Sequence, residues 1–202
     1  MPSTSHFFAY ISRLRWIKRW SLMRNAIHED VAVHSWEVAT VAHALALIHN
    51  RVTHKHNEKQ HIDPYKLTTV AIYHDASEVI TGDMPTPVKY HSESMKKAYK
   101  GVEMKAQHEL LALIPSEMQA DFASVLIEED LPEVYQILLK AADRLSALLK
   151  CRAELRAGNT EFEQAEKDIY LRLTEMNSPE VGYFLTVFAP GYEMSLDNLL
   201  DT

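Results

Sequence analysis

His34, His74, Asp75 and Asp143 are all residue types that bind divalent metals, and three of the four sit in stretches that otherwise read as apolar helix. His74 and Asp75 adjoin inside YHDASE, and Asp143 stands inside KAADRL. Polar groups on a core-facing surface are expensive unless something compensates them. One divalent cation would compensate two imidazoles and two carboxylates together. Cys151 is the only cysteine, so a thiolate cluster is impossible and the donors are nitrogen and oxygen. That donor set suits Mn, Fe, Co, Ni or Zn. Glu78 follows His74 by four residues, one turn along the same face of a continuous helix. From there it could touch a water on such an ion without binding the ion.

Each residue also has an ordinary reading. At 100° per residue His34 lies within about 40° of Val38, Val41, Leu45 and Ile48, in the middle of an apolar stripe. His74 follows Leu67, Val70 and Ala71 on another. Taken singly, either is more often a core histidine with a satisfied partner. Asp75 lies 100° around from His74, so the two side chains would not face each other but could straddle one ion. Asp143, beside Leu139 and Ala147, could equally form an ion pair with Lys140 or Arg144. Glu78 alone reads as a surface carboxylate, and Asp83 as a turn former. His43 is half a turn from His34 and cannot share its site. His54, His56 and His61 occupy a polar connection and read as solvated loop.

Helical periodicity must position these groups. It predicts helices over about 5–20 (Phe8, Ile11, Leu14 and Ile17 on one side) and 31–50, the second capped by Asp30. A polar surface connection spans 51–62. Asp63-Pro64 opens a helix running to Thr81, where Gly82 stops it. A loop at 83–86 leads to Pro87 and a bent helix reaching about 112. Pro115 sets off a shorter helix, Pro132 precedes a long one over 133–157, and another covers 160–177. Pro179 leads into a mixed tail. With 5 Gly and 8 Pro there is little material for the turns of an all-β fold. The expectation is an all-α helical bundle, one domain over 1–202, with a buried single-metal site.

Residues 1–25 carry Arg13, Arg15, Lys18, Arg19 and Arg24 and no acid, yet the whole chain is at −7. An acidic body with a local basic patch suits one small anion better than a nucleic-acid polymer, whose binding needs extensive charge neutralisation. No apolar run is expected to reach membrane-spanning length. Trp16 and Trp20, interleaved with the basic residues, suit folded structure better than a transit peptide. The lone cysteine points to a reducing, cytoplasmic setting.

Three longer stretches carry a resemblance: SHFFAYISRLRWIKRWSLMRN at 5–25, YHDASEVITGDMPTPVKY at 73–90 and KAADRLSALLKC at 140–151. With the H…HD…D pattern they make the chain similar to the HD-domain phosphohydrolases, and more narrowly to the bacterial YfbR-like 5′-deoxynucleotidases. The resemblance implies an HD helical bundle that hydrolyses deoxyribonucleoside 5′-monophosphates by in-line attack of a metal-bound water. It implies one divalent ion, Co²⁺ or Mn²⁺ foremost and Zn²⁺, Ni²⁺, Cu²⁺ or Fe²⁺ as alternatives, on His34, His74, Asp75 and Asp143. Arg19 would orient the phosphate, with a fork that Lys18 could not match. Trp20 would pack at the sugar and disfavour a 2′-hydroxyl. Glu78 would activate water, and Asp83, Met84, Pro85 and Thr86 would line the substrate side, along with His34, Asp75 and Asp143. Homodimers are implied, with no nucleic-acid or membrane partner. Two departures stand out: Val33 precedes the first metal histidine where an acid is common, and 51–62 is longer than usual. Competing readings are an HD phosphodiesterase or a nucleoside-triphosphate or alarmone hydrolase, against which stands the lack of a second HD pair, and a helical interaction module with a structural metal.

Overall fold

Asp30 and Asp63 each close the N-terminus of a helix, as their positions predict. In the computed structural model, which describes residues 4–89 and 91–200, Asp30 accepts from Val33 N at 3.0 Å and Asp63 from Tyr65 N at 2.8 Å. The helices they cap, α2 (Val31–Ile48) and α3 (Pro64–Tyr73), pack side by side and against the long α8 (Glu133–Arg156). Around this trio lie α1 (Phe7–Ile11), α4 (Glu78–Thr81), α5 (Thr86–Lys89), α6 (Glu93–Ala112), α7 (Gln119–Leu126), α9 (Glu163–Glu175), α10 (Pro179–Val187) and α11 (Leu196–Leu200). Among the described residues there is no strand, only an antiparallel bridge between Lys18 and Asp30. The fold is the expected all-α one. Residues 1–3, 201–202 and Tyr90, the last inside the helix expected from Pro87, lie outside the described residues.

The core forms where α2, α3 and α8 meet. Val38, Val41, Ala42 and Leu45 pack with Leu67, Val70 and Ala71 and with Leu138, Ala141, Ala142, Leu145 and Leu148. Alanines at the contacts let the axes approach closely, since helix separation follows side-chain size at the crossing. A smaller cluster joins Phe7, Ala76, Leu110, Ile114 and Leu126, with Phe7 edge-on to Phe122 at 5.2 Å. By length and composition Val31–Thr53 could cross a membrane, contrary to expectation. Much of it is buried between α3 and α8, as a core helix is.

Four elements differ from their sequence expectations. The first helix is short, continues as 3₁₀ turns over Ser12–Trp16, and buries Phe7 and Leu14 while Phe8 is exposed. Arg19 and Trp20 therefore lie on an irregular arm, not at a helix end. The helix expected to reach Thr81 breaks after Tyr73, because bonds such as Ala76 N to Tyr73 O (2.9 Å) and Glu78 N to Asp75 O (3.0 Å) span three residues. Such turns are tighter than α, so Glu78 is not simply one turn above His74. The last helix begins at Glu163, after a 3₁₀ turn, and the tail contains α10, which Ser178 caps by accepting from Val181 N.

Gly82 does end α4, with φ 71° and ψ 165°, a region essentially confined to glycine. A Cβ there would meet no atom within 4 Å, so alanine would suffer backbone strain alone. Gly82→Ala is expected to cost about 1–3 kcal/mol and lower Tm by at least about 2 °C in thermal unfolding.

Candidate metal centre and cleft

Three elements and one tight turn bring the donor atoms together. His34 sits near the start of α2 and is fully buried; His74 follows the last residue of α3; Asp75 lies in the tight turn; Asp143 is midway along α8. His34 Nε2 is 3.3 Å from Asp143 Oδ1 and 3.6 Å from Asp75 Oδ2, and His74 Nε2 is 3.2 Å from that same Asp75 oxygen. Single ligand atoms of His34, His74 and Asp143 all lie within 4.8 Å of one another. His74 and Asp75, expected not to face each other, do meet, because the tight turn at 74–77 replaces the 100° step of a regular helix.

The other ring nitrogens fix the orientation. His74 Nδ1 is 2.8 Å from Ala71 O, so it donates there and aims Nε2 inward. His34 Nδ1 faces Ser146 Oγ at 3.3 Å and Glu29 Oε1 at 3.4 Å. Both Nε2 atoms are buried without a hydrogen-bond partner. Two orphaned imidazole nitrogens among carboxylate oxygens are what a divalent cation requires. A ring nitrogen held by a carbonyl on its far side is the usual support of a metal-binding histidine. The donor set fits such an ion.

Electrostatics agree. Burial works against the His74 charge, but Asp75 outweighs it and pushes the imidazole up to about 9. Burial likewise opposes ionisation of Asp75, and His74, His34 and Arg19 nevertheless hold it well below the usual carboxylate range. Glu78 goes the other way: burial, then Asp75 and Asp83, push it up to about 10. Asp83 and Glu128 are raised as well, chiefly by burial. The region carries more carboxylate than its cationic side chains neutralise.

A cleft of about 1080 Å³ opens over this point. Arg19, Trp20, His74, Asp75, Glu78, Asp83, Met84, Pro85, Thr86 and Asp143 line it, while His34 lies behind the wall. The residues expected at the metal and substrate site thus line or adjoin one cleft. Arg19 Nη1 is 3.3 Å from Asp75 Oδ2 and its Nε 3.6 Å from Glu29 Oε1. Trp20 Nε1 donates to Glu29 Oε2 at 2.7 Å, and its ring lies 5.3 Å from that of Phe162. Asp143 forms the ion pair with Lys140, Oδ2 to Nζ at 2.6 Å, and turns Oδ1 toward His34 Nε2 at 3.3 Å. Val33 points outward and is 46% exposed, so it leaves the donors untouched.

Two residues of the site escaped sequence reading. Glu29, buried beside His34, Arg19 and Trp20, precedes a helix cap and carries no periodic signal. Ser146 was detectable, since it falls three residues after Asp143 and interrupts the apolar run of α8; it is fully buried and donates to Glu37 Oε2 at 3.2 Å. At the opposite end of α2, His54 is not simply solvated. Its ring lies tilted against that of His49, centroids 4.3 Å apart, and Glu180, from the helix missed in the tail, joins them. There His49 already uses both ring nitrogens, on Glu180 Oε1 at 3.0 Å and Gln60 O at 3.1 Å.

Comparison with known proteins locates this geometry. The model of the family described as 5′-deoxynucleotidase YfbR-like matches residues 6–192. A 5′-deoxynucleotidase of Vibrio parahaemolyticus is 46% identical over 195 residues, 96% of this chain and 98% of its own length. One from Yersinia pestis is 48% identical, covering 96% of each. Among solved structures, an HD-domain phosphohydrolase of Listeria innocua superposes with TM-score 0.74 at 23% identity, over 93% of this chain and 88% of that one. An HD phosphohydrolase of cyanophage S-2L, bound to dA and one catalytic Zn²⁺, has TM-score 0.66 at 20% identity, over 96% and 100%.

Proposed function

We propose that this chain, which belongs to the YfbR-like 5′-deoxynucleotidase family, is a phosphomonoesterase that removes the 5′-phosphate from deoxyribonucleoside 5′-monophosphates. The observation that carries the reading is the pair of orphaned Nε2 atoms, converging with Asp75 and Asp143 beneath a cleft that Arg19, Trp20 and Glu78 line. His34, His74, Asp75 and Asp143 hold one divalent ion, with Co²⁺ or Mn²⁺ the first choices and Zn²⁺, Ni²⁺, Cu²⁺ or Fe²⁺ chemically compatible. When bound, the ion lowers the pKa of water at the site and offsets phosphoryl charge.

The protein supplies the remaining steps. Arg19 engages phosphate oxygens through its planar fork and holds the phosphorus in line with the attacking water. Burial opposes its charge, but Asp75 and Glu29 outweigh that and keep it protonated. With a bound cation offsetting the Asp75 charge that, after burial, raises it in the metal-free protein, Glu78 would be ionised, hold the water and take its proton. Asp83, Met84, Pro85 and Thr86 border the nucleoside. Trp20, braced by Glu29 and Phe162, fills the space a 2′-hydroxyl would need.

A nucleotide substrate and a free, buried cysteine support a cytoplasmic location. As a homodimer it would cover an apolar face on which α2 exposes Val33 and Trp36 and the adjoining α3 exposes Tyr65 and Ile72. Phosphate release from matched deoxy- and ribonucleoside monophosphates, with Co²⁺, Mn²⁺, Zn²⁺ and Mg²⁺ in turn, tests the function. Wild type is expected to prefer the deoxy series. In Trp20→Ala that preference should fall by about 10-fold or more, the effect of removing a steric contact of roughly 1–3 kcal/mol. Release from no deoxynucleotide with any of these metals would overturn the reading.

A further inference from the structure

Trp20 holds a backbone conformation, φ 56°, that a bulky residue keeps only where its surroundings over-determine it. No helix or sheet does so, because residues 17–30 form an arm. Its base is tied by Val31 N to Ile17 O at 3.0 Å and Arg19 N to Glu29 O at 3.1 Å. Its returning limb is fastened from elsewhere, by the far end of α8. Glu154, wholly buried, accepts from Ala26 N at 2.8 Å and Ile27 N at 2.9 Å. Lys150 Nζ donates both to Glu154 and to Ile27 O. Asn159 Nδ2 donates to Glu154 Oε2 at 2.8 Å and to Arg24 O at 2.7 Å.

We propose that the buried group Lys150, Glu154 and Asn159 is the positioning device of this arm, holding Arg19 and Trp20 against the cleft and so setting nucleotide affinity and the choice of sugar. The inference rests on the roles given to Arg19 and Trp20 above. These side chains grip the arm by its backbone, so their hold does not depend on the arm's own side chains. Phe162 extends the clamp: it packs on the Trp20 ring, and Lys150 Nζ lies 5.5 Å above its own ring. Charge-assisted bonds in a buried setting are the stronger kind, which suits a grip on a strained segment. Glu154 is separated from Asp143 by roughly 16 Å of helix, so altering it leaves the metal donors in place.

The test uses Glu154→Gln and the milder Asn159→Ala, each also made with Trp16→Phe and Trp36→Phe so that Trp20 alone reports. Metal content is expected to match wild type. KM for a deoxynucleoside monophosphate should rise about 10-fold, kcat should fall as well because the arm carries the Arg19 that holds the phosphorus in line, and the deoxy-over-ribo preference should fall by a similar factor, since misplacing a group by about 1 Å has effects of that order or larger. Trp20 emission should shift to the red. In wild type, the amides of Ala26 and Ile27 should be protected from hydrogen exchange, a measurement that needs no variant. Folded variants with unchanged KM, sugar preference and Trp20 emission would overturn the proposal, as would Ala26 and Ile27 amides exchanging at open-loop rates. If wild type hydrolyses no deoxynucleotide, the functional reading fails on its own, and exchange with emission still decides whether the clamp holds the arm.

Discussion

His74→Ala is expected to purify without its stoichiometric metal and to lose at least about 10³-fold in deoxynucleotidase activity, as removal of an electrophilic centre from phosphoryl transfer should. The ring is aimed, not merely present. Its Nδ1 is anchored on Ala71 O, which fixes the tautomer and leaves Nε2 toward Asp75. Alanine removes that donor and leaves Asp75 and Asp143 facing each other with one imidazole fewer between them. The stability readout separates catalysis from a structural metal. An ion that binds only the folded state raises its stability by about 4 kcal/mol at 1,000 times its Kd. Chelation should therefore lower the Tm of wild type and leave His74→Ala unmoved. Metal bound one-to-one by His74→Ala, with activity intact, would exclude His74 as a ligand. A wild type that melts on chelation yet releases no phosphate would make the ion a staple.

The sequence revealed the donors more readily than the turn that aims them. His34 stood out because an imidazole in the middle of the stripe Val38, Val41, Leu45 and Ile48 needs a partner, and it is indeed buried with Nε2 unpaired. The helix caps at Asp30 and Asp63 were equally visible, since capping is local chemistry. The break at 74–77 was not. YHDASEVIT keeps a helical pattern and contains no Gly or Pro, so only tertiary packing decides that its turns tighten. The arm was hidden for a related reason. RWIKRW extends the apparent periodicity of α1, whereas its real constraints come from Glu29 and Glu154, the latter more than a hundred residues away. Glu180 also needed the fold, because α10 was concealed behind Pro179, which proved to be a helix start and not a breaker.

Glu78→Gln is expected to lower kcat by about 10²–10⁴-fold, the usual contribution of a positioned general base, while metal content is unchanged and KM shifts little. Glutamine keeps the shape and can still hold a water, but it cannot take a proton. The same substitution should stabilise the metal-free protein. Burial and the carboxylates of Asp75 and Asp83 push Glu78 up to about 10, against the partial relief from Arg19 and Lys89. Between the ordinary glutamate pKa, near 4.3, and that value, the folded state binds more protons at this residue than the unfolded state does. Its contribution to stability therefore falls as pH rises across that window, and glutamine is free of the penalty. Metal-free Glu78→Gln should melt above metal-free wild type at pH 8, and the gap should narrow toward pH 5. A surface glutamate with no role would change neither kcat nor Tm. A residue that only packs would lose stability on substitution. Activity down and stability up together is the signature of a group kept in an unfavourable setting for the sake of the reaction, and a Glu78→Gln chain that retained wild-type kcat would remove Glu78 from the mechanism.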